Sequence, residues 1–250
     1  MRVKSYPAGA VLCLGALVLF ISSCHKSHDV TDPHGQCGIS RADSCNILTF
    51  VASPPGGHNS FATTFTITYN AFGNPISVVS NIAQPGNPNY TLQYDECNRL
   101  IGLLAPTTNT GDTGYERWDR YGYNHKNQIV TDTNYNQGVL RHICYQYDSQ
   151  GRMVLERGSV VTYGDSTYQE AFTYDAEGNL VRPFTTYDHN RSMYRAHPVW
   201  MFLAKNYSLN NYFSPIQYNS HGLPTKFSTY MPVDLFPLAY GDVTVTYSCP

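Results

Sequence analysis

The sequence predicts an all-β fold: a curved antiparallel sheet built from consecutive β-hairpins, with one short helix near the C-terminus. Three observations carry this. A signature led by tyrosine recurs six times. The residues before each tyrosine alternate apolar and polar. The chain has 21 tyrosines but only 14% charged residues, a balance that favours strands and turns over helices.

The six signatures are YNAFGNP at Tyr69, YDECNRL at Tyr94, YNHKNQI at Tyr123, YDSQGRM at Tyr147, YDAEGNL at Tyr174 and YNSHGLP at Tyr218. Asp or Asn always follows the tyrosine. The residue four after it is always Gly or Asn: Gly73, Asn98, Asn127, Gly151, Gly178 and Gly222. A type I turn favours Asp or Asn at its first position, where the side chain accepts from a backbone amide two residues on. Its fourth position in a hairpin adopts positive φ, which Gly takes without strain and Asn tolerates best. Each signature therefore reads as a hairpin tip. The bulge sets Tyr opposite the residue six further on: Leu100, Ile129, Met153 and Leu180, with Pro75 and Pro224 in the first and last copies. Those prolines suggest sheet edges.

Two before each tyrosine the residue is apolar: Ile67, Leu92, Tyr121, Tyr145, Phe172 and Ile216. This period-two pattern puts the tyrosines on the buried face. The next position along each outgoing strand (Ile76, Ile101, Val130, Val154, Val181) is apolar too, which suggests that both faces are covered near the tips. Successive tyrosines are 25, 29, 24 and 27 residues apart, room for two strands and two turns. The last gap, of 44, holds YDHNRSM at Tyr187, which has Arg191 where Gly is expected.

Outside the repeats, CNILTFVA (Cys45–Ala52) reads as a first strand and GDVTVTYSC as a last one. SPPGGHNS and AQPGNPN read as loops. HPVWMFLAKNY (His197–Tyr207) reads as the helix, with Pro198 in its first turn and Trp200, Met201, Phe202 and Leu203 as core.

The N-terminus carries Arg2 and Lys4, an apolar run from Ala8 to Ile21, and ISSC ending at Cys24. The run is short for a membrane span and suits a signal peptide. ISSC resembles the lipobox of bacterial lipoproteins, which implies lipidation of Cys24 and anchoring to a membrane through that lipid. The expected organisation is a signal peptide over 1–23, a flexible tether over 24–44 and the β domain over 45–250. The tether holds His25, His28, His34, Asp29 and Asp32, read as solvated linker. Loss of Arg2 and Lys4 takes the formal charge from −2 to −4, and no basic patch points to nucleic acid. Five cysteines follow Cys24: Cys37, Cys45, Cys97, Cys144 and Cys249. An exported protein can form disulfides, but five is odd and connectivity stays open. They read as structural, with Cys97 the most exposed.

YDSQGRMV and YDAEGNLV resemble the tyrosine-aspartate (YD) repeats of RHS-type bacterial surface and toxin-shell proteins. The stretch YDHNRSMYRAHPVWMFLAKNYSLNN followed by YNSHGLPTKF resembles the tail of uncharacterised YD-repeat lipoproteins of Bacteroidetes-type bacteria. The resemblance runs from about Phe65 to Phe227. It implies a fold and a cell-envelope location, lipid-anchored at the outer membrane, and carries over no statement about activity.

Catalytic and cofactor signatures are missing: there is no Gly-x-Ser-x-Gly, His-Glu-x-x-His, phosphate loop, Cys-x-x-Cys or zinc-like spacing. No cofactor is expected. DTNYNQG (Asp132–Gly138) fits a hairpin turn better than a calcium loop. GDTGYERWDRYG (Gly111–Gly122) gathers Asp112, Glu116, Arg117, Trp118, Asp119 and Arg120. Trp118, Glu116 and Asp119 are the candidate ligand-binding residues, for a glycan or a protein partner. A carboxylate pair there could instead serve a glycosidase, although neighbours in a strand face opposite ways. The leading expectation is a non-enzymatic envelope lipoprotein that binds or builds. The alternatives are a lipid-anchored hydrolase acting on glycans and a subunit of a larger surface assembly.

Overall fold

The computed structural model describes residues 45–53, 62–82, 89–108, 114–162, 166–182, 185–229 and 241–250. They belong to one compact unit, Thr31–Pro250. The signal peptide, Cys24, the tether, Asp112 and the loop SPPGGHNS after Ser53 lie outside the described residues, as does AQPGNPN up to Pro88.

Among the described residues, thirteen strands form one sheet: β1 (Asn46–Ser53), β2 (Thr63–Tyr69), β3 (Pro75–Ser80), β4 (Tyr90–Tyr94), β5 (Leu100–Pro106), β6 (Tyr115–Tyr123), β7 (Ile129–Asn136), β8 (Val139–Tyr147), β9 (Met153–Val160), β10 (Ser166–Ala171), β11 (Ser214–Tyr218), β12 (Pro224–Thr229) and β13 (Gly241–Ser248). The order is β10 through β1 in sequence, then β13, β12 and β11. Every pairing between these strands is antiparallel. The C-terminal strand thus pairs with the N-terminal one. Cys45 and Cys249 flank that pair and form a disulfide. Cys97 and Cys144 are disulfide-bonded as well. Cys97, expected to be exposed, is half-buried.

The turns share one chemistry. The residue four after each tyrosine has positive φ: Gly73 76°, Asn98 57°, Asn127 57°, Gly151 77°, Gly178 82° and Gly222 71°. Its amide donates to the carbonyl of the Asp or Asn that opens the turn. In five copies that Asp or Asn side chain accepts two further amides, as Asp148 Oδ1 does from Gln150 at 2.9 Å and Arg152 at 2.9 Å. Burial alone would raise the Asp148 pKa, but the hydrogen bonds from the Arg152 and Gln150 amides and the Arg152 guanidinium hold it below the usual carboxylate range. At Gly178 a side chain meets two obstacles: the positive φ, and Leu209 Cδ1 3.0 Å from where a Cβ would sit. Gly178→Val is expected to cost about 2 kcal/mol or more, and the exposed neighbour Glu177→Val under about 0.5 kcal/mol, by urea unfolding.

Register pairs Tyr69 with Pro75, Tyr94 with Leu100, Tyr123 with Ile129, Tyr147 with Met153, Tyr174 with Leu180 and Tyr218 with Pro224. The tyrosine hydroxyls then reach across to the preceding hairpin. Tyr94 donates to Pro75 O, Tyr123 to Leu100 O and Tyr147 to Ile129 O, each at 2.7 Å, and Tyr174 to Met153 O at 3.0 Å. The acceptor is always the carbonyl at the residue paired with the previous tyrosine. Tyr187 extends the series to Leu180 O, and Tyr247 plays the same part on Pro224 O. Phenylalanine could fill the site but not make this bond. Tyr147→Phe alone is expected to cost about 1 kcal/mol by urea unfolding. Where the fifth residue after Tyr is Arg, it adds a second stitch. Arg99 and Arg152 pair with Asp95 and Asp148 and lie over the rings of Tyr123 and Tyr174, 4.9 and 4.3 Å from the centroids.

Three expectations are corrected. Pro75 and Pro224 do not mark edges, since β3 and β12 are interior strands. Each is the first residue of its strand, beside a register shift, where no ladder amide is required. The outer face is not uniformly covered near the tips: Ile101 and Val181 are exposed. The helix is shorter than His197–Tyr207. A 3-10 turn, Met193–Ala196, leads into α1 (Pro198–Leu203), capped by His197. Lys205, at φ 49°, ends it.

The core lies on one face. Ile67, Leu92, Tyr121, Tyr145 and Phe172 are buried there, with Trp200 and Phe202 of α1 packed over them. Phe202 meets the rings of Tyr121 and Tyr145 edge-on at 5.2 and 5.3 Å. Further along, Phe213 stacks on Phe227, which meets Phe50. Residues 185–213 touch both ends of the sheet: Asn210 pairs with Asn179 beyond β10, and Asp188 accepts from Tyr218 of β11.

Candidate functional site

Strand alternation decides which side chains of β6 meet. Glu116, Trp118 and Arg120 share one face, and Arg117, Asp119 and Tyr121 share the other. Trp118 and Glu116 are therefore separated from Asp119. Trp118 stacks on Tyr135 at 5.9 Å, with the Arg120 guanidinium 5.5 Å from its ring. Glu116 accepts from Gln137 Nε2 at 3.1 Å.

On the core face, β6 to β10 instead gather a polar cluster. Asp119, 1% exposed, is gripped by Arg117 through Nε at 2.8 Å and a second guanidinium nitrogen at 3.0 Å. Asn134 donates to it at 2.7 Å and accepts from Arg141 at 3.3 Å. Glu156, 2% exposed, accepts from Tyr168 at 2.8 Å and pairs with Lys205, just beyond α1. Asp132 lies between. Tyr145 approaches its Oδ2 at 3.4 Å, and its buried Oδ1 has no hydrogen-bond partner. Burial, then the charge of nearby Asp119, pushes the Asp132 pKa up to about 8. It therefore stays protonated at neutral pH, while Arg117 and Lys205 face Asp119 and Glu156.

No sequence signal marks Asp132 and Glu156, because they occupy core-facing strand positions where apolar residues belong. The hairpin turn expected over Asp132–Gly138 takes in Asp132, which lies instead within β7. The turn after β7 is instead Gln137–Gly138, at φ 48° and 84°.

A cleft of about 160 Å3 opens between α1 and the tips of the β4–β5, β6–β7 and β8–β9 hairpins. Asn98, Asn127 and Gly151 rim it, and Tyr94, Tyr123 and Tyr147 line it. His197 closes one side. Its Nδ1 accepts from the Val199 amide at 3.0 Å, so the ring proton sits on Nε2, directed at Asn74 Oδ1 3.2 Å away. That tautomer is committed to capping α1 and does not offer a general base.

No family model and no curated protein matches the chain. Among solved structures it is similar to a chain of the one titled "Crystal Structure of TcdB2-TccC3-Cdc42", at 17% identity and a TM-score of 0.22, over 76% of this chain. The match spans 9% of that much longer chain.

A third grouping joins distant parts of the sequence. Ligand atoms of Cys45, His221 and Cys249 lie within 4.8 Å of one another. The two sulfurs are bonded to each other.

Proposed function

We propose that this chain is a lipid-anchored envelope protein of the YD-repeat kind, in which the hairpin sheet is a non-catalytic binding or structural module. One observation carries the reading: among the described residues, the acids of the neighbouring turns and of the buried polar cluster, and the histidine that closes the cleft, are already committed to structure. Asp95 and Asp148 cap turns, Asp119 and Glu156 are ion-paired inside the sheet, and His197 caps a helix. The cleft presents amides, tyrosine faces and one guanidinium, which suit recognition of a polar ligand such as a glycan. The lipobox-like ISSC supports anchoring through Cys24 at the outer membrane.

The test is binding measured together with turnover. Purified protein titrated with envelope polysaccharides and envelope extracts is expected to retain a ligand while releasing no new reducing ends. Release of reducing ends, lost in Asp119→Asn, would establish the glycan hydrolase instead. Labelling with a radioactive fatty acid is expected for the wild type and not for Cys24→Ser.

A further inference from the structure

We propose that Cys45, Cys249 and His221 form a zinc(II) site gated by the redox state of the two cysteines. Three elements that are far apart in sequence meet there. Cys45 precedes β1 and Cys249 follows β13. The pairing of Asn46 with Ser248 sets the two cysteines opposite each other, with Cα atoms 4.1 Å apart. His221 comes from the tip of the β11–β12 hairpin, at the third position after Tyr218. The side chain at that position has no role in the turn chemistry, which uses only its amide: the other five copies carry Phe72, Cys97, Lys126, Gln150 and Glu177. The turn itself is fixed by Asn219, whose Oδ1 accepts the amides of His221 and Leu223 at 3.0 and 2.9 Å. The Nδ2 of Asn219 points at Cys249 Sγ, 3.8 Å away. His221 is thus held over the disulfide by a rigid turn while its side chain stays exposed to solvent.

In the oxidised protein the sulfurs are joined and cannot act as thiolate ligands. A dithiol reductant breaks the S–S bond. The two electrons come from its own thiols, which close to a disulfide, and Cys45 and Cys249 each gain a proton. Zinc then displaces both protons to solvent and takes two thiolates and the His221 imidazole, with water in the fourth position. Zn–S and Zn–N bonds of about 2.3 and 2.0–2.1 Å in a tetrahedron put donor atoms about 3.5–3.8 Å apart. The three atoms already lie within 4.8 Å. Cleavage of the S–S bond lets the sulfurs separate, and rotation of the exposed His221 side chain brings its nitrogen in. The set is soft and borderline in character, which selects zinc over magnesium or calcium. The ion would take over the link between first and last strands that the disulfide otherwise provides.

The experiment uses the full chain, reduced with excess dithiol, desalted without oxygen and titrated with cobalt(II) as a coloured stand-in for zinc. Reduced wild type is expected to show thiolate-to-cobalt charge-transfer absorption and tetrahedral visible bands, both erased by one equivalent of zinc. Oxidised wild type is expected to show neither. His221→Ala keeps every cysteine and alters only an exposed side chain. Its oxidised form is expected to unfold as the wild type does, and its reduced form to bind at least tenfold more weakly without the tetrahedral bands. Equal binding by reduced wild type and His221→Ala overturns the site, because the other cysteines would then account for the metal. No uptake by reduced wild type, or equal uptake by the oxidised form, overturns it too. Cys97→Ser, away from the site, is expected to leave the cobalt spectrum unchanged.

Discussion

Phe202→Ala is expected to destabilise the domain by about 3–5 kcal/mol, measured by urea unfolding. Phe202 is buried, and its ring makes two edge-on aromatic contacts at once, with Tyr121 of β6 and Tyr145 of β8. Each such pair contributes about 0.5–1.5 kcal/mol beyond the area it covers. The helix that carries Phe202 is only six residues long, so it gains little from its own hydrogen bonds and is held in place by what it buries. Truncation leaves a cavity under α1 that the neighbouring strands cannot close, because their register is pinned by the tyrosine hydroxyls. Phe202→Leu, which keeps most of the volume, is expected to cost less than half as much. A loss under about 1 kcal/mol for the alanine variant would show that α1 is not the plug of this core.

Asp132→Asn is expected to change how stability depends on pH. In the folded protein Asp132 keeps its proton up to about pH 8, while in the unfolded chain it loses that proton near pH 4. Between those values the folded state binds more protons, so this group makes stability fall as pH rises. Below pH 4 both states are protonated and the effect vanishes. Above pH 8 both are ionised and the full penalty is present, at most about 5 kcal/mol for a shift of this size. Asparagine cannot ionise, and its amide can donate to Asp119 as the protonated carboxyl could. The variant is therefore expected to match the wild type near pH 4, to lack most of the decline from pH 5 to 8, and to exceed it by several kcal/mol at pH 9. Parallel curves for the two proteins would mean that Asp132 is already ionised at neutral pH.

The parts of this fold that were legible in sequence are those set by local backbone chemistry. An Asp or Asn followed three residues later by Gly or Asn specifies a turn wherever it stands, and the alternation before each tyrosine specifies which face is buried. What was not legible depends on contacts between repeats. The acceptor of each tyrosine hydroxyl is a backbone carbonyl 18–23 residues away for Tyr94, Tyr123, Tyr147 and Tyr174, and a carbonyl leaves no residue-type signature. The YDHNRSM segment shows the same limit. Asp188 still caps an amide two residues on, Asn190 at 3.1 Å, but its second comes from Asn211, 23 residues away, so the motif survives without its glycine. At the candidate sites, Glu116, Trp118 and Asp119 look like one group in the linear chain, and the strand divides them. Asp132 reads as a turn residue and is buried, as is Glu156, which no motif marks. Cys45 and Cys249 are 204 residues apart, beyond any spacing rule for metal ligands.

The most direct test of the hairpin ladder is urea unfolding of the triple variant Tyr94→Phe, Tyr123→Phe, Tyr147→Phe. Only three hydroxyls are removed, each bonded to the carbonyl of the preceding repeat at 2.7 Å. At about 0.5–1.5 kcal/mol per bond, a loss of about 2–4 kcal/mol is expected. Tyr115→Phe, at an exposed site, is the control and should leave stability unchanged. A triple variant as stable as that control would contradict the claim that the tyrosines stitch one hairpin to the next.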